Sequence, residues 1–163
     1  MRATRFLVFP ALLVLGLCAA APAARAEWPH DPLVNVPLCT ADGTQSDPGM
    51  VSDGAGGAIV AWQDYRSGGL DIYAQRVLAS GEPDPAWPVN GLAVCTAGGS
   101  QQLPVVAADG AGGAIVAWFD YRNGNDDIYA QHVLASGVAD PAWPANGLAV
   151  CTAVGTQQCS DIV

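Results

Sequence analysis

The sequence predicts an all-β protein made of repeated, antiparallel, four-stranded units. The phrase DGAGGAIVAW fills residues 53–62 and returns unchanged at 109–118. Residues 39–94 align with 95–150 without a gap, and 40 of the 56 aligned positions are identical, which indicates two full copies of one structural unit. Nothing after residue 26 shows the sustained 3.6-residue apolar period of an amphipathic helix, so we expect strands throughout.

Each unit divides into four short predicted strands. In the first unit they lie at 48–52, 58–64, 70–79 and 91–96. Gly- and Asp-rich turns separate the first three strands, and the Pro-rich stretch SGEPDPAWPVN precedes the fourth. AIVAW in the second strand is apolar on both faces, so we expect other sheets to cover it from both sides. Sheets of this size stacked in series are blades of a β-propeller, in which Trp62 and Trp118 would pack against the next blade.

The chain then has a simple predicted domain plan. Residues 1–26 have the basic start, the apolar run and the small-residue ending of a signal peptide, so we expect cleavage after Ala26 and a secreted or periplasmic protein. The plan continues with an outer strand and loop at 27–47, a first blade at 48–96 and a second at 104–152. Residues 153–163 read as the start of a third blade that is cut off, so we expect a fragment of a larger propeller.

Charge excludes one class of partner. The chain has a net charge of −9 and no lysine, and after residue 26 three arginines face 15 acidic residues. Such a surface repels phosphate backbones, so we expect no nucleic-acid partner, and the one long apolar run is too short to predict a membrane span. The acids sit mostly in turns. DGAGG supplies one carboxylate where a calcium ion takes six to eight oxygens, so no metal or other cofactor is expected.

Cysteines recur once per unit at Cys39, Cys95 and Cys151. This regular placement favours a small buried apolar side chain over half of a disulfide. Cys159 is the odd one out, and Cys151–Cys159 is the only short-range pair. In a propeller their Cα atoms would lie on different blades, beyond the roughly 7 Å that a disulfide can span.

Two sets of side chains are candidates for ligand contact. The first is a polar set that occurs in both units: Asp64, Arg66 and Asp71, with Asp120, Arg122 and Asp127. It would form either a polar rim that contacts a ligand or an arginine that bridges two aspartates and braces the turn. The second set is Trp87 and Trp143, which would either hold a sugar ring or fill the underside of a long loop. We identify no catalytic residue.

Part of each unit resembles a known repeat family. DYRSGGLDIYAQRVLASG and DYRNGNDDIYAQHVLASG resemble the R-x-G-x-x-D-I-Y stretch of TolB-type, WD-like propeller repeats, and DGAGGAIVAW is similar to their D-G-x-x-I-A-F hairpin. The resemblance covers residues 53–81 and 109–137, and the unit is longer than those repeats usually are. It implies a propeller hairpin and says almost nothing about function.

Three functions remain open from the sequence. The first is an exported propeller repeat protein with a binding or scaffold role and no catalysis, whose partners are further blades of the same chain or identical chains, and possibly a protein or a glycan. The second is a two-blade lectin that self-assembles and binds carbohydrate. The third is part of a propeller glycosidase or lyase, which two near-identical units disfavour because they offer no pair of carboxylates in unlike environments.

Overall fold

The computed structural model describes residues 33–157 and residue 162. These residues form eight strands and no helix, which confirms the all-β prediction. The strands are β1 (Gln45–Ser52), β2 (Ala58–Asp64), β3 (Asp71–Val77), β4 (Leu92–Cys95), β5 (Gln101–Ala108), β6 (Ala114–Asp120), β7 (Asp127–Val133) and β8 (Leu148–Cys151). In this described part there is accordingly no helix that could cross a membrane. The predicted signal peptide lies outside the described residues.

The strands form two antiparallel sheets, each with four strands in sequence order. The first sheet runs β1-β2-β3-β4 and the second runs β5-β6-β7-β8. Short turns join the first three strands of each sheet, and a longer segment, 78–91 or 134–147, precedes the fourth. Every strand therefore pairs with its neighbours in sequence. The registers agree between sheets: Asp64 lies opposite Asp71, and Asp120 lies opposite Asp127. The two copies of the sequence therefore build the same meander twice.

Strand boundaries follow the prediction most closely where the sequence is least ambiguous. β2 occupies the predicted residues 58–64, whereas β1 begins three residues earlier than predicted. The extra residues precede an irregularity between Ser46 and Gly49, where Asp47 has a φ of 50° and Pro48 follows. β3 stops at Val77, earlier than predicted, because the chain turns back there and Val77 pairs with Pro83.

One apolar cluster joins the two sheets. Alternate residues of β6, namely Ala114, Val116 and Trp118, share the face that meets the first sheet. Their partners include four fully buried residues of the first sheet: Ile59, Ala61, Ile72 and Ala74. Trp118 therefore packs toward the sheet that precedes it in the chain, and the prediction that it packs against the next unit is wrong. Side chains alternate between the two faces of a strand, so the position of Trp118 in β6 determines the face on which it lies.

The first sheet shows the same orientation. Val60 and Trp62 lie on its opposite face, where Leu38 and Cys39 pack against them. These two residues belong to the segment before β1, whose VPLCTA (36–41) matches LAVCTA at 92–97. Residues 36–41 thus pack on the first sheet in the same way as β4 and the residues after it pack on the second sheet.

Candidate functional site

A buried aspartate–arginine pair lies at the end of the second strand of each sheet. Asp120 is fully buried, and Arg122 Nε donates a hydrogen bond of 2.8 Å to its Oδ1 while Nη2 donates to Oδ2. Trp118 Nε1 adds a third donor at 2.8 Å, and the backbone N–H of Arg122 adds a fourth at 3.0 Å. Asp64 receives the same four donors from Trp62 and Arg66. The two carboxylates are thus fully hydrogen-bonded.

The arginine of each pair also reaches the preceding segment of chain. Arg122 Nη2 lies 3.2 Å from Cys95 Sγ and donates to the carbonyl of Asn146 at 2.8 Å. Asn146 Oδ1 in turn accepts a hydrogen bond of 3.0 Å from the backbone N–H of Thr96. We call this group of Cys95, Thr96, Arg122 and Asn146 the joint cluster of the second sheet. Cys95 and Thr96 lie at the end of the first sheet, whereas Arg122 and Asn146 belong to the second unit. The cluster therefore connects one sheet to the next.

The first sheet carries an equivalent joint cluster of Cys39, Thr40, Arg66 and Asn90. Arg66 Nη2 lies 3.1 Å from Cys39 Sγ and 2.9 Å from the Asn90 carbonyl, and Thr40 N–H donates to Asn90 Oδ1 at 2.8 Å. Each arginine also lies over the ring of a tyrosine of its own sheet, with Arg66 Cζ 3.8 Å from the ring centre of Tyr73. The corresponding distance in the second sheet is 3.9 Å.

The electrostatics of the pair favour its charged form. Burial pushes the pKa of Asp120 upward, but the hydrogen bonds from Arg122, Trp118 and the Arg122 backbone outweigh it and hold the pKa below its ordinary value. The hydrogen bond to Asp120 outweighs burial at Arg122 and raises the pKa of the guanidinium. Both groups therefore stay ionised across the physiological range, and neither is suited to exchange a proton.

Asp71 and Asp127 are buried as well, but the arginines do not bridge to them. Ser67 Oγ donates to Asp71 Oδ2 at 2.6 Å, and two asparagines donate to Asp127, at 2.8 Å from Asn123 and 2.7 Å from Asn125. The expectation that one arginine would bridge two aspartates is therefore wrong. Each aspartate has its own donors because the turn residues Ser67 and Asn123 stand closer to it.

The two candidate tryptophans differ in exposure. Trp87 is 4 % exposed, and its Nε1 donates to the carbonyl of Ala135 at 3.2 Å, across the contact between the sheets. Gly137 makes room for it, since a Cβ at that position would lie 2.7 Å from Trp87 Cγ. Trp143 is the equivalent residue of the second sheet and is only half-buried. Trp87 thus fills the underside of a neighbouring loop, and ligand contact by either residue stays a prediction.

A second cluster, which we call the loop clamp, ties two loops of each sheet together. In the first sheet Arg76 donates to Asp53 at 2.7 Å and lies 3.5 Å from Asp84. In the second sheet a histidine takes the place of the arginine: His132 Nε2 lies 2.9 Å from Asp109 Oδ2, and Nδ1 lies 2.8 Å from Asp140 Oδ2. Since both ring nitrogens face carboxylates, both must donate, and the clamp requires the protonated imidazolium.

The clamp raises the pKa of its histidine. The hydrogen bond to Asp109 is the largest influence, burial opposes it, and Asp140 adds to it, so the pKa of His132 lies above its ordinary value. Sequence reasoning did not identify this clamp, nor the asparagine of the joint cluster. The asparagine leaves a signal in the repeated P-x-N-G, where Asn90 and Asn146 both adopt positive φ, 65° and 61°.

The cysteines are partly as predicted. Cys95 is fully buried, and burial raises the pKa of its thiol to about 11, whereas Cys39 and Cys151 are half-buried. All three are free thiols. Cys95 and Cys39 additionally contact an arginine, a polar role that the sequence did not indicate. Cys159, and with it the question of a bond to Cys151, lies outside the described residues.

The described residues offer no group of three or more His, Cys, Asp or Glu side chains able to hold a metal ion. The comparisons with known proteins add no relative. The sequence matches no protein-family model, and neither the curated proteins nor the solved structures include one that it matches significantly.

Proposed function

We propose that this chain is an exported β-propeller repeat protein of TolB-like type that acts as a binding module or scaffold without catalysis. The observation that carries the proposal is the use of its buried acids. Asp64 and Asp120 are both 0 % exposed and accept four donors each, in the same arrangement in both sheets. A general acid or base needs a carboxylate that reaches substrate and exchanges a proton. These carboxylates instead hold in place the arginines that contact the preceding segment of chain.

Three further features support the proposal. The arginine of each joint cluster connects its own sheet to the preceding segment, which is what a module built from serial units requires. The resemblance of the DYR…DIYAQ hairpins to TolB-type repeats agrees with this plan. The proposal takes its secreted or periplasmic location from the predicted signal peptide, and an acidic surface there suits soluble proteins or glycans as partners.

The experiment compares the wild-type chain with D120N and D64N on a panel of polysaccharides, with release of reducing ends as the readout. The proposal expects no release above buffer from any of the three, and lower stability of both variants, because each loses one charged partner of a buried pair. D126N is the matched control, since Asp126 stands in the turn before β7 and belongs to neither cluster. Release by wild type that D120N abolishes while the variant stays folded would overturn the proposal in favour of a glycosidase or lyase.

Trp143 favours one second candidate, the carbohydrate-binding lectin. It is half-buried beside the loop clamp, with its ring centre 6.1 Å from that of His132, so an aromatic surface lies close to the carboxylates of the clamp. This combination suits a sugar ring. A glycan array probed with wild type and with W143A tests it: saturable binding that W143A loses supports the lectin, and an array without signal excludes it.

A further inference from the structure

The second sheet ends in an apolar surface whose counterpart on the first sheet is covered. Val94 is 3 % exposed in the first sheet, whereas its equivalent Val150 is 61 % exposed. Cys95 and Trp87 are buried, while the equivalent Cys151 and Trp143 are half-buried. We call the surface made by these residues of the second sheet, together with Leu148 (44 % exposed), the trailing face.

The structure shows what covers the equivalent residues. The first sheet's Val94 and Cys95 lie against the side of the second sheet that carries Val116 and Trp118. Polar contacts then set the register: Arg122 reaches Cys95 Sγ, and the Asn146 side chain receives the N–H of Thr96. The occupant of a trailing face is therefore a sheet side with one buried tryptophan, one arginine and one asparagine in this arrangement. We call such a side a leading face.

The chain holds a second leading face, on the first sheet. It consists of Val60, Trp62, Arg66 and Asn90, and residues 36–41 lie on it with the joint contacts already described. This segment covers the face incompletely. Grooves open on both sides of Leu38, one lined by Pro48, Val60 and Trp62, the other by Gln75, Trp87 and Asn90. No sheet of the described chain lies over these grooves.

We propose that the trailing face of one copy binds the leading face of the first sheet in a second copy. The segment Cys151–Thr152–Ala153 then takes the place of Cys39–Thr40–Ala41, with which it is identical in sequence. Arg66 of the second copy donates to Cys151, and Asn90 of the second copy receives the N–H of Thr152. The incoming sheet also fills the grooves beside Leu38, which a six-residue segment leaves open, and this added burial of apolar surface favours the exchange. The contact is head-to-tail and repeats the one inside the chain.

The inference rests on the proposed role as a binding module and names the module's partner as a second copy. Its test measures association and thiol exposure together, on the full secreted chain across a concentration series. Sedimentation velocity reports the oligomer. Alkylation with iodoacetamide, read peptide by peptide in a mass spectrometer, reports each thiol.

As concentration rises, we expect oligomers to form. Cys151 should be alkylated at least about tenfold more slowly, because its thiol becomes as buried as that of Cys95. Cys39 should be alkylated faster, because its segment is displaced. V150D should abolish all three changes. The matched control is V138E, which places an acid on another exposed valine (48 % exposed), at a position where the first unit already has Glu82.

A chain that stays monomeric at every concentration overturns the inference, as does an oligomer in which Cys151 stays as reactive as in the monomer or which V150D leaves intact. None of these outcomes bears on catalysis. Release of reducing ends would count against the proposed function alone, so the two failures are distinguishable.

Discussion

Gly137 offers a direct test of how the two sheets dock. Its φ is +79°, in the left-handed region, and a Cβ there would lie 2.7 Å from Trp87 Cγ and 3.0 Å from Trp87 Cα. G137A therefore imposes two costs. The left-handed backbone costs an alanine about 1–2 kcal/mol, and forcing a methyl group against a packed tryptophan costs about 1–3 kcal/mol more.

Gly124 separates the two costs. Its φ is +90°, and nothing lies within 4 Å of a Cβ built there, so G124A carries the backbone cost alone. We expect the free energy of unfolding to fall by about 1–2 kcal/mol in G124A and by about 2–5 kcal/mol in G137A. The gain in chain stiffness of the unfolded state is the same for both substitutions and cancels in the comparison.

The assay is urea denaturation followed by far-ultraviolet circular dichroism, with sucrose added to keep the weaker variants folded. A second pair of measurements places both substitutions in a W87A background, where most of the contact with Gly137 is gone. The excess cost of G137A over G124A should then shrink toward zero. Equal midpoints for the two single variants, or an excess that persists unchanged without the Trp87 ring, would refute the docking of Trp87 on this loop.

Three other predictions concern Arg122, His132 and Cys95. R122M leaves the carboxylate of Asp120 buried without its ion pair, so we expect the free energy of unfolding to fall by about 3–5 kcal/mol in denaturant titrations. R122K keeps the charge and should lose less stability. Equal losses in the two variants would contradict the importance of the charge. The second concerns pH. Because the folded-state pKa of His132 is raised, its clamp contributes stability that is full below the ordinary histidine pKa of about 6.5 and is lost as pH rises through the raised value. Thermal melts from pH 5 to 9 should show this loss in wild type and not in H132R, which copies the Arg76 clamp, and a loss that persists in H132R would assign it elsewhere. Third, Cys95 should react with iodoacetamide at pH 8 only as the chain unfolds, since burial raises its thiol pKa to about 11. A reaction as fast as that of Cys151 would show that the structure around Cys95 opens readily.

The sequence predicts the inner hairpin of each sheet well and its edges less well. β2 is found at the predicted residues because AIVAWQD is bounded by DGAGG on one side and YRSGG on the other, and both turn signals are strong. The start of β1 was missed because Pro48 reads as a strand boundary. The structure keeps the strand on both sides of it, through an irregularity at Asp47.

The sequence predicts which residues belong to the candidate site but not all of the hydrogen bonds that they form. Local spacing places Asp64 beside Arg66, and their pairing follows from it. The contacts of Arg66 with Cys39 and Asn90 join residues 27 and 24 positions apart, and no local pattern predicts them. The direction in which Trp118 packs was likewise set by which face of β6 meets the first sheet, a tertiary choice that an apolar run such as AIVAW leaves open.

The two copies are nearly identical in the second strand of each sheet and differ most in the first strand. β2 and β6 differ at one position, Gln63 against Phe119, whereas β1 and β5 share only a Gln and a Pro. β1 and β5 also meet across the contact, where Gly49 lies against the carbonyl of Pro104. During folding, a β2 strand could pair equally well with the neighbours of either copy, so identical hairpins invite strand exchange between units. Because β1 and β5 differ in sequence, each is suited to its own place in the structure. Gln63 adds to this specificity, because its side chain accepts the N–H of Leu103 at 3.1 Å and Phe119 offers no such acceptor. We therefore expect the divergence of β1 from β5 to disfavour exchange of strands between the two units.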